Sequence, residues 1–167
     1  YQKVIELAKK ENIDFSNVTS FNLDEYINNP DFTQSYRYFM DTHLFNFINI
    51  KKENTHFPSL EGLKTYDEEI KKAGGVDLQL LGIGADGHIG FNEPNTPFDS
   101  LTHIADLTEK TIQDNSRFFA SIQDVPTQAV TRGRQSIRNA KKIILIATGK
   151  NKALAIEKTF GKVNEAT

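Results

Sequence analysis

Polar and apolar positions first repeat at helical steps. Tyr1, Val4, Ile5, Leu7 and Ala8 recur with Lys and Glu between them, which predicts a helix over 1–10. The pattern then tightens into "NVTSFNL" at 17–23, β-branched and aromatic, a short strand running into Asp24 and Glu25. Two Asn and Pro30 mark a loop. From Ser35 to Ile50 the helical period returns, with Tyr36, Phe39, Met40, Leu44 and Phe47 on one stripe that should face a core. Residues 51–60, with Pro58, read as loop, and Leu60 to Ala73 as a second, more charged helix stopped by Gly74-Gly75.

The second half alternates the two periods. "VDLQLLGIG" at 76–84 is apolar and closed by glycine, the pattern of a buried parallel strand. "THIADLT" at 102–108 predicts another short strand, and Glu109 to Ser121 a helix. Gln128 to Ala140 also reads as helical, although Gly133 weakens it. "KKIILIATG" at 141–149 is the clearest strand, followed by a helix in "NKALAIEKTF". Strands alternating with helices predict an α/β sandwich around a mostly parallel sheet. Ligands then collect past the carboxyl ends of the strands, which singles out the loops after Leu23, Gly82 and Thr148. No linker or repeat divides the 167 residues, so one domain over 1–167 is expected.

Composition narrows the chemistry. With 38% hydrophobic and 25% charged residues and a net charge of -2, the chain has no basic footprint for nucleic acid. No apolar run approaches the roughly 18 residues a membrane helix needs, so no membrane partner is expected. The absence of cysteine removes disulfides, thiolate zinc sites and thiol nucleophiles, and a cytoplasmic setting is expected. The chain opens on Tyr1 within a helix and closes on "GKVNEAT", which we read as a fragment.

The densest chemistry lies in "GIGADGHIGFNEP" at 82–94. Gly82, Gly84 and Gly87 reproduce the G-x-G-x-x-G spacing of a dinucleotide turn, and Asp106 lies about 20 residues on. That motif requires a helix to start directly after the turn. Gly90, Pro94 and Pro97 stand where it would run, so no cofactor cradle is expected. What remains is a glycine-rich loop carrying Asp86, His88, Asn92 and Glu93. A histidine flanked by carboxylates is fixed in tautomer and suited to proton transfer near neutral pH. No metal site is expected, because His88 has no second His or Cys at ligand spacing. Asp24 could either cap the following segment or supply a further carboxylate to the same site.

Among the cations, Arg117 in "NSRFF" and Lys152 in "GKNKAL" suit a phosphate, one as a planar fork and the other as a point charge in a helix's first turn. Arg132, Arg134, Arg138, Lys51-Lys52 and Lys141-Lys142 read as solvated surface charge, and His43, His56 and His103 receive no role.

Taken in order, "FNLDEY" (21–26), "LGIGADGHIGFNEP" (81–94), "NSRFF" (115–119) and "GKNKALAI" (149–156) resemble the glucosamine-6-phosphate deaminase family over nearly the whole chain. The resemblance implies a Rossmann-like three-layer α/β sandwich, incomplete at both ends here. It implies conversion of glucosamine 6-phosphate and water to fructose 6-phosphate and ammonia, without a redox cofactor. By motif match Asp24 is the base that moves a proton between C2 and C1. His88 opens the sugar ring, supported by Asp86 and Glu93, and Arg117 and Lys152 hold the phosphate. 6-Phosphogluconolactonases, galactosamine-6-phosphate deaminases and sugar-phosphate-sensing domains share parts of the pattern.

Three departures stand out. The family's Ser/Thr/Gly-rich phosphate loop and its final strand and helix lie outside this chain. Arg132 and Arg134 occupy places where the family tends to apolar residues. Apart from these three, His103 and Ala105 stand where allosteric members carry basic residues, so that regulation is not expected.

Overall fold

The computed structural model describes residues 1–161. Helix α1 (Gln2–Lys10) is followed by strand β1 (Ser20–Phe21), and only two residues later by β2 (Asp24–Tyr26). The predicted single strand over 17–23 is therefore split between two sheets. β1 pairs in parallel with β3 (Thr55–His56), and Asn22 N–H extends that ladder to the His56 carbonyl. Leu23 instead gives its carbonyl to the N–H of Arg132, beginning the antiparallel pairing of β2. The chain changes sheets between Asn22 and Asp24, and this bend turns the Asp24 side chain toward the loops at the strand ends.

Helix α2 (Tyr36–His43) is half the length that the periodicity predicts. Ser35 starts it, its hydroxyl accepting from the Tyr38 N–H. Leu44 ends it with a non-helical backbone, and a single 3-10 turn follows over Phe45–Phe47. The aromatic stripe is only partly a core: Met40 and Phe45 are buried, whereas Phe39 and Phe47 are about half exposed, at 45% and 49%. Phe39 packs instead against Tyr1 and His43 near the surface. Helix α3 (Tyr66–Lys72) is preceded by turns where a longer helix was expected, and it stops where Gly75 N–H reaches back to the Ile70 carbonyl. The Tyr66 hydroxyl lies 2.9 Å from the Asn22 carbonyl, pinning α3 to the end of β1.

β4 (Leu78–Leu81) pairs in parallel with β7 (Lys142–Leu145), as the strand pattern requires. β4 is not buried on both faces, however. Gln79 and Leu81 are buried, while Leu78 and Leu80 remain 49% and 45% exposed. β5 (His103–Asp106) and helix α4 (Glu109–Asn115) follow, α4 continuing into a 3-10 turn over Ser116–Phe118.

The segment 128–140 departs most from expectation. It is not one helix but strand β6 (Gln128–Thr131), then Gly133, then the short helix α5 (Arg134–Arg138). β6 lies between β2 and β5 in an antiparallel three-stranded sheet. Its Ala129, Val130 and Thr131 are almost wholly buried. Val and Thr favour an extended backbone, and two flanking ladders outweigh the helical period that the sequence suggested. Helix α6 (Ala153–Phe160) follows β7 through a 3-10 turn. The result is an α/β fold with parallel pairs and one antiparallel sheet. Phe91, Ala105, Leu107 and Ala129 form a buried cluster, with Tyr26, Tyr36 and Ile112 packed on it.

Candidate active site

The glycine-rich loop leaves the carboxyl end of β4 and docks on the antiparallel sheet. The Phe91 N–H donates to the Thr131 hydroxyl at 3.1 Å, and the Asn92 amide donates to the Arg132 carbonyl at 2.8 Å. These two bonds hold the loop against the end of β6, beside Asp24 across the ladder. Asp24 and Thr131 are register partners, and the Thr131 hydroxyl donates to Asp24 Oδ1.

Two glycines are demanded by close approach and not by any phosphate. A Cβ on Gly84 would lie 2.4 Å from the His88 ring. Gly90 has a positive φ of 62°, and a Cβ there would touch Asp24 Oδ1 and the Thr131 hydroxyl at 3.0 Å. The loop backbone is thus a floor against which an imidazole and a carboxylate are pressed.

The imidazole stands between two carboxylates. His88 Nδ1 is 2.7 Å from Asp86 Oδ1 and 3.8 Å from Glu93 Oε2. Asp86 also accepts the His88 backbone N–H at 3.3 Å, so carboxylate and ring belong to one tight turn. Burial alone would raise the Asp86 carboxyl, but the charge of His88 and its N–H outweigh that and hold it below its ordinary value. Glu93 is anchored from the other side. Its Oε1 accepts from the Thr111 hydroxyl at 2.6 Å and from the Thr108 hydroxyl at 3.3 Å, at the N-terminus of α4. Its Oε2 has no hydrogen-bond partner among the described residues and faces His88.

Ligand atoms of Asp86, His88 and Glu93 all lie within 4.8 Å of one another, so this trio could also grip a divalent cation. A search for a second His or Cys overlooks that arrangement. Asp86 Oδ1 and His88 Nδ1 stand 2.7 Å apart, but Nδ1 has no aligned hydrogen-bond partner among the described residues.

Asp24 faces this trio. Withdrawal from water pushes its carboxyl up to about 6, even though Thr131, the Phe91 N–H, His88 and Arg132 all favour the ionised form. Its neighbour Glu25 has a different task. Glu25 accepts the Tyr36 and Arg37 N–H groups at 3.1 and 2.9 Å and thereby caps α2. The two carboxylates of the "DE" pair thus face different neighbours, Thr131 for Asp24 and the start of α2 for Glu25.

The structure brings Asp24, Asp86, His88 and Glu93 together. It does not join Arg117 or Lys152 to them: among the described residues neither makes a hydrogen bond or ion pair to the cluster. Arg117 is exposed in the turn after α4, its guanidinium 4.7 Å over the Phe118 ring. Asn115, two residues before it, donates to the Tyr26 hydroxyl and so ties this turn to β2. Lys152 is partly buried at the start of α6, just past Gly149 with its positive φ of 86°.

The arginines correct the reading of surface charge. Arg132 is fully buried and bonds through its guanidinium to Gln79 Oε1 at 2.5 Å, Ser136 Oγ at 3.1 Å and the Ser136 carbonyl at 2.8 Å. Burial lowers its pKa from the ordinary arginine value. Arg134 is half-buried and stacks over Phe98. Thr131, Thr108, Thr111 and Arg132 are the site residues that sequence reasoning missed. No local signal marks Thr131, which acts through β6, whose strand character the pattern hid; Arg132 stands where the family tends to apolar residues, a hint of its burial. Thr108 precedes a predicted helix and reads as its cap, a usable hint.

On this α/β fold an imidazole stands between two carboxylates, with a third carboxylate opposite. The profile of the glucosamine-6-phosphate isomerases/6-phosphogluconolactonase family matches residues 1–167, and the chain belongs to that family. It is 57% identical over 167 residues to a glucosamine-6-phosphate deaminase of Thermoanaerobacter sp. (strain X514), covering 96% of this chain and 66% of that protein. A glucosamine-6-phosphate deaminase of Mycoplasma mycoides is also 57% identical, over 93% of this chain and 66% of its own length. The solved structure of a monomeric glucosamine-6-phosphate deaminase superposes with a TM-score of 0.89 at 42% identity, covering 95% of this chain and 68% of that one. A 6-phosphogluconolactonase from Thermotoga maritima shares the fold, with a TM-score of 0.68 at 21% identity over 92% of this chain and 67% of its own. The chain thus spans just under two thirds of the length of the curated relatives it matches.

Proposed function

We propose that this chain carries the acid–base site of a glucosamine-6-phosphate deaminase, which converts glucosamine 6-phosphate and water to fructose 6-phosphate and ammonia. The observation that carries this reading is the pairing of a desolvated Asp24, poised near pH 6, with His88 held between Asp86 and Glu93.

In this mechanism His88 moves the proton that opens the sugar ring and exposes the C1 aldehyde. Asp86 and Glu93 fix the orientation of its ring and offset its charge. Asp24, ionised above about pH 6, removes the proton from C2. The electron pair flows to the aldehyde oxygen, which takes a proton to give an enolamine; Asp24 then returns the proton to C1 as the C2 amine gives one up. The imine left at C2 adds water and releases ammonia, giving the C2 ketone. Arg117 and Lys152 bind the phosphate, away from the reacting carbons. The closeness of both curated deaminases, against a lactonase likeness of fold alone, favours this reading over lactone hydrolysis. A cytoplasmic setting belongs to the same proposal.

The test is the release of ammonia and fructose 6-phosphate from glucosamine 6-phosphate, by the chain as it stands and by the chain extended to its relatives' length. Galactosamine 6-phosphate and 6-phosphogluconolactone are the comparison substrates. Preferred turnover of either would overturn the assignment, and sugar-phosphate binding without ammonia release would favour a sensor.

A further inference from the structure

The Thr131 hydroxyl is fully buried and sits between two partners of fixed character. On one side is the Phe91 N–H, 3.1 Å away, which can only donate. The hydroxyl oxygen therefore accepts there, and its single proton is left for the other side, where it meets Asp24 Oδ1. The other acceptor within reach, the Arg132 carbonyl, is farther off at 3.5 Å, so while Asp24 is ionised the hydroxyl proton goes to Oδ1.

We propose that Thr131 is a positioning residue for the base: it commits Asp24 Oδ1 to a fixed hydrogen bond and leaves Oδ2 as the oxygen that takes and returns the substrate proton. The inference rests on the assignment of Asp24 as base. It adds which oxygen acts and what aims it. Were Asp24 free to rotate, either oxygen could carry the proton and neither would be held over C2 and C1. With Oδ1 tied to β6, the carboxylate plane is set by the antiparallel ladder, in which Asp24 and Thr131 are direct partners. The glycine loop enters the same arrangement, because Phe91 N–H fixes the hydroxyl and Gly90 packs against both Oδ1 and the hydroxyl. Loop, strand and base are thereby one unit.

The charged and titratable groups around Asp24 come from every packed element: His88 from the loop, Arg132 from the end of β6, Tyr26 from its own strand, Tyr36 from α2 and Tyr66 from α3. The Thr131 bond, the Phe91 N–H, His88 and Arg132 pull the carboxyl down, against the larger effect of burial that pushes it up. Removing the hydroxyl proton while leaving those charges in place should move the acid limb of the rate profile to higher pH.

Thr131→Val, Thr131→Ser and Asp24→Asn are compared in the chain extended to its relatives' length, following kcat and KM for glucosamine 6-phosphate across pH 5–9. Thr131→Val should lower kcat about tenfold or more with KM little changed, and shift the acid limb of kcat/KM upward. Thr131→Ser, which keeps the hydroxyl, should restore both. If Val does not fold, Thr131→Ala is read in its place by the same criteria. An unmoved acid limb with kcat retained in Val or Ala would overturn the proposal. So would a Ser variant as impaired as Val, since packing and not the hydroxyl would then matter. Asp24→Asn separates the two levels: if it abolishes turnover while the Thr131 variants behave as wild type, only the positioning role fails. If it retains turnover, the base assignment falls and this inference with it.

Discussion

Asp24 and Glu25 are adjacent in β2, yet their carboxylates serve different parts of the molecule. Asp24 accepts from the Thr131 hydroxyl across the ladder, and Glu25 accepts the Tyr36 and Arg37 N–H groups at the start of α2. Strand geometry sends successive side chains to opposite faces, so a single "DE" places one acid toward the loops and one beneath a helix. Replacing Glu25 with Ala should leave the Tyr36 and Arg37 N–H groups of α2 without their acceptor and cost about 1–2 kcal/mol. Glu25→Gln can serve only one of the two N–H groups through a single carbonyl and should fall between. Chemical denaturation checks the order. Turnover below the unfolding temperature should fall far less than in Asp24→Asn.

Burial of Asp24 sets its ionised form against stability. Its folded-state pKa near 6 lies above the ordinary 3.8, so the folded chain holds this proton more tightly than the unfolded chain does. Stability from this group is complete below about pH 4, falls as pH rises to about 6, and stays lost above that, for a total of roughly 2–3 kcal/mol. Asp24→Asn should therefore raise the melting temperature at pH 7.5, with little effect at pH 4, while abolishing turnover. A melting temperature lowered at pH 7.5 would show that the ionised carboxylate stabilises the fold.

The rate itself should follow the same group. In the proposed mechanism Asp24 takes the C2 proton only when ionised, so kcat/KM should rise with pH through about 6 and flatten above it. The acid limb of the rate profile measures this directly, and an inflection near 4 would place the base in a more solvated carboxylate.

Gly84→Ala tests the floor beneath His88. The new methyl would stand 2.4 Å from the imidazole, and the ring is the part that can give way. Stability should change little, while kcat falls by about 10- to 100-fold as the ring swings from its position between Asp86 and Glu93. Thermal unfolding and steady-state kinetics together separate the two effects.

Arg132 should behave as a buried polar bolt. Arg132→Ala strands Gln79 and the groups of Ser136 and opens a cavity, at a cost of about 3 kcal/mol or more. The double change Arg132→Met with Gln79→Leu removes both ends of the main bond and keeps volume, and should recover to within about 1–2 kcal/mol of the parent. Urea denaturation of the single and double variants measures the difference.

Much of the Asp86–His88–Glu93 cluster was legible because it is local. Asp86, His88 and Glu93 lie within eight residues, bounded by glycines whose close-packing role the structure supplies. β4 and β7 were legible too, since their apolar runs are dense and glycine-bounded. The helical reading of 128–140 failed because residues such as Gln128 and Ala129 carry little intrinsic strand preference. Their extended form comes from β2 and β5, which lie far away in sequence.

By itself the sequence determined the alternation of strands and helices, the glycine loop with its histidine and two carboxylates, and the family. Short-range periodicity and motif spacing are carried by neighbours along the chain. The tertiary structure alone decided that Asp24 and not Glu25 faces His88, that Thr131 fixes Asp24, and that Arg132 is buried. Each of these depends on a strand register or a hydrogen bond between segments tens of residues apart, and no local pattern encodes which partner a side chain will meet.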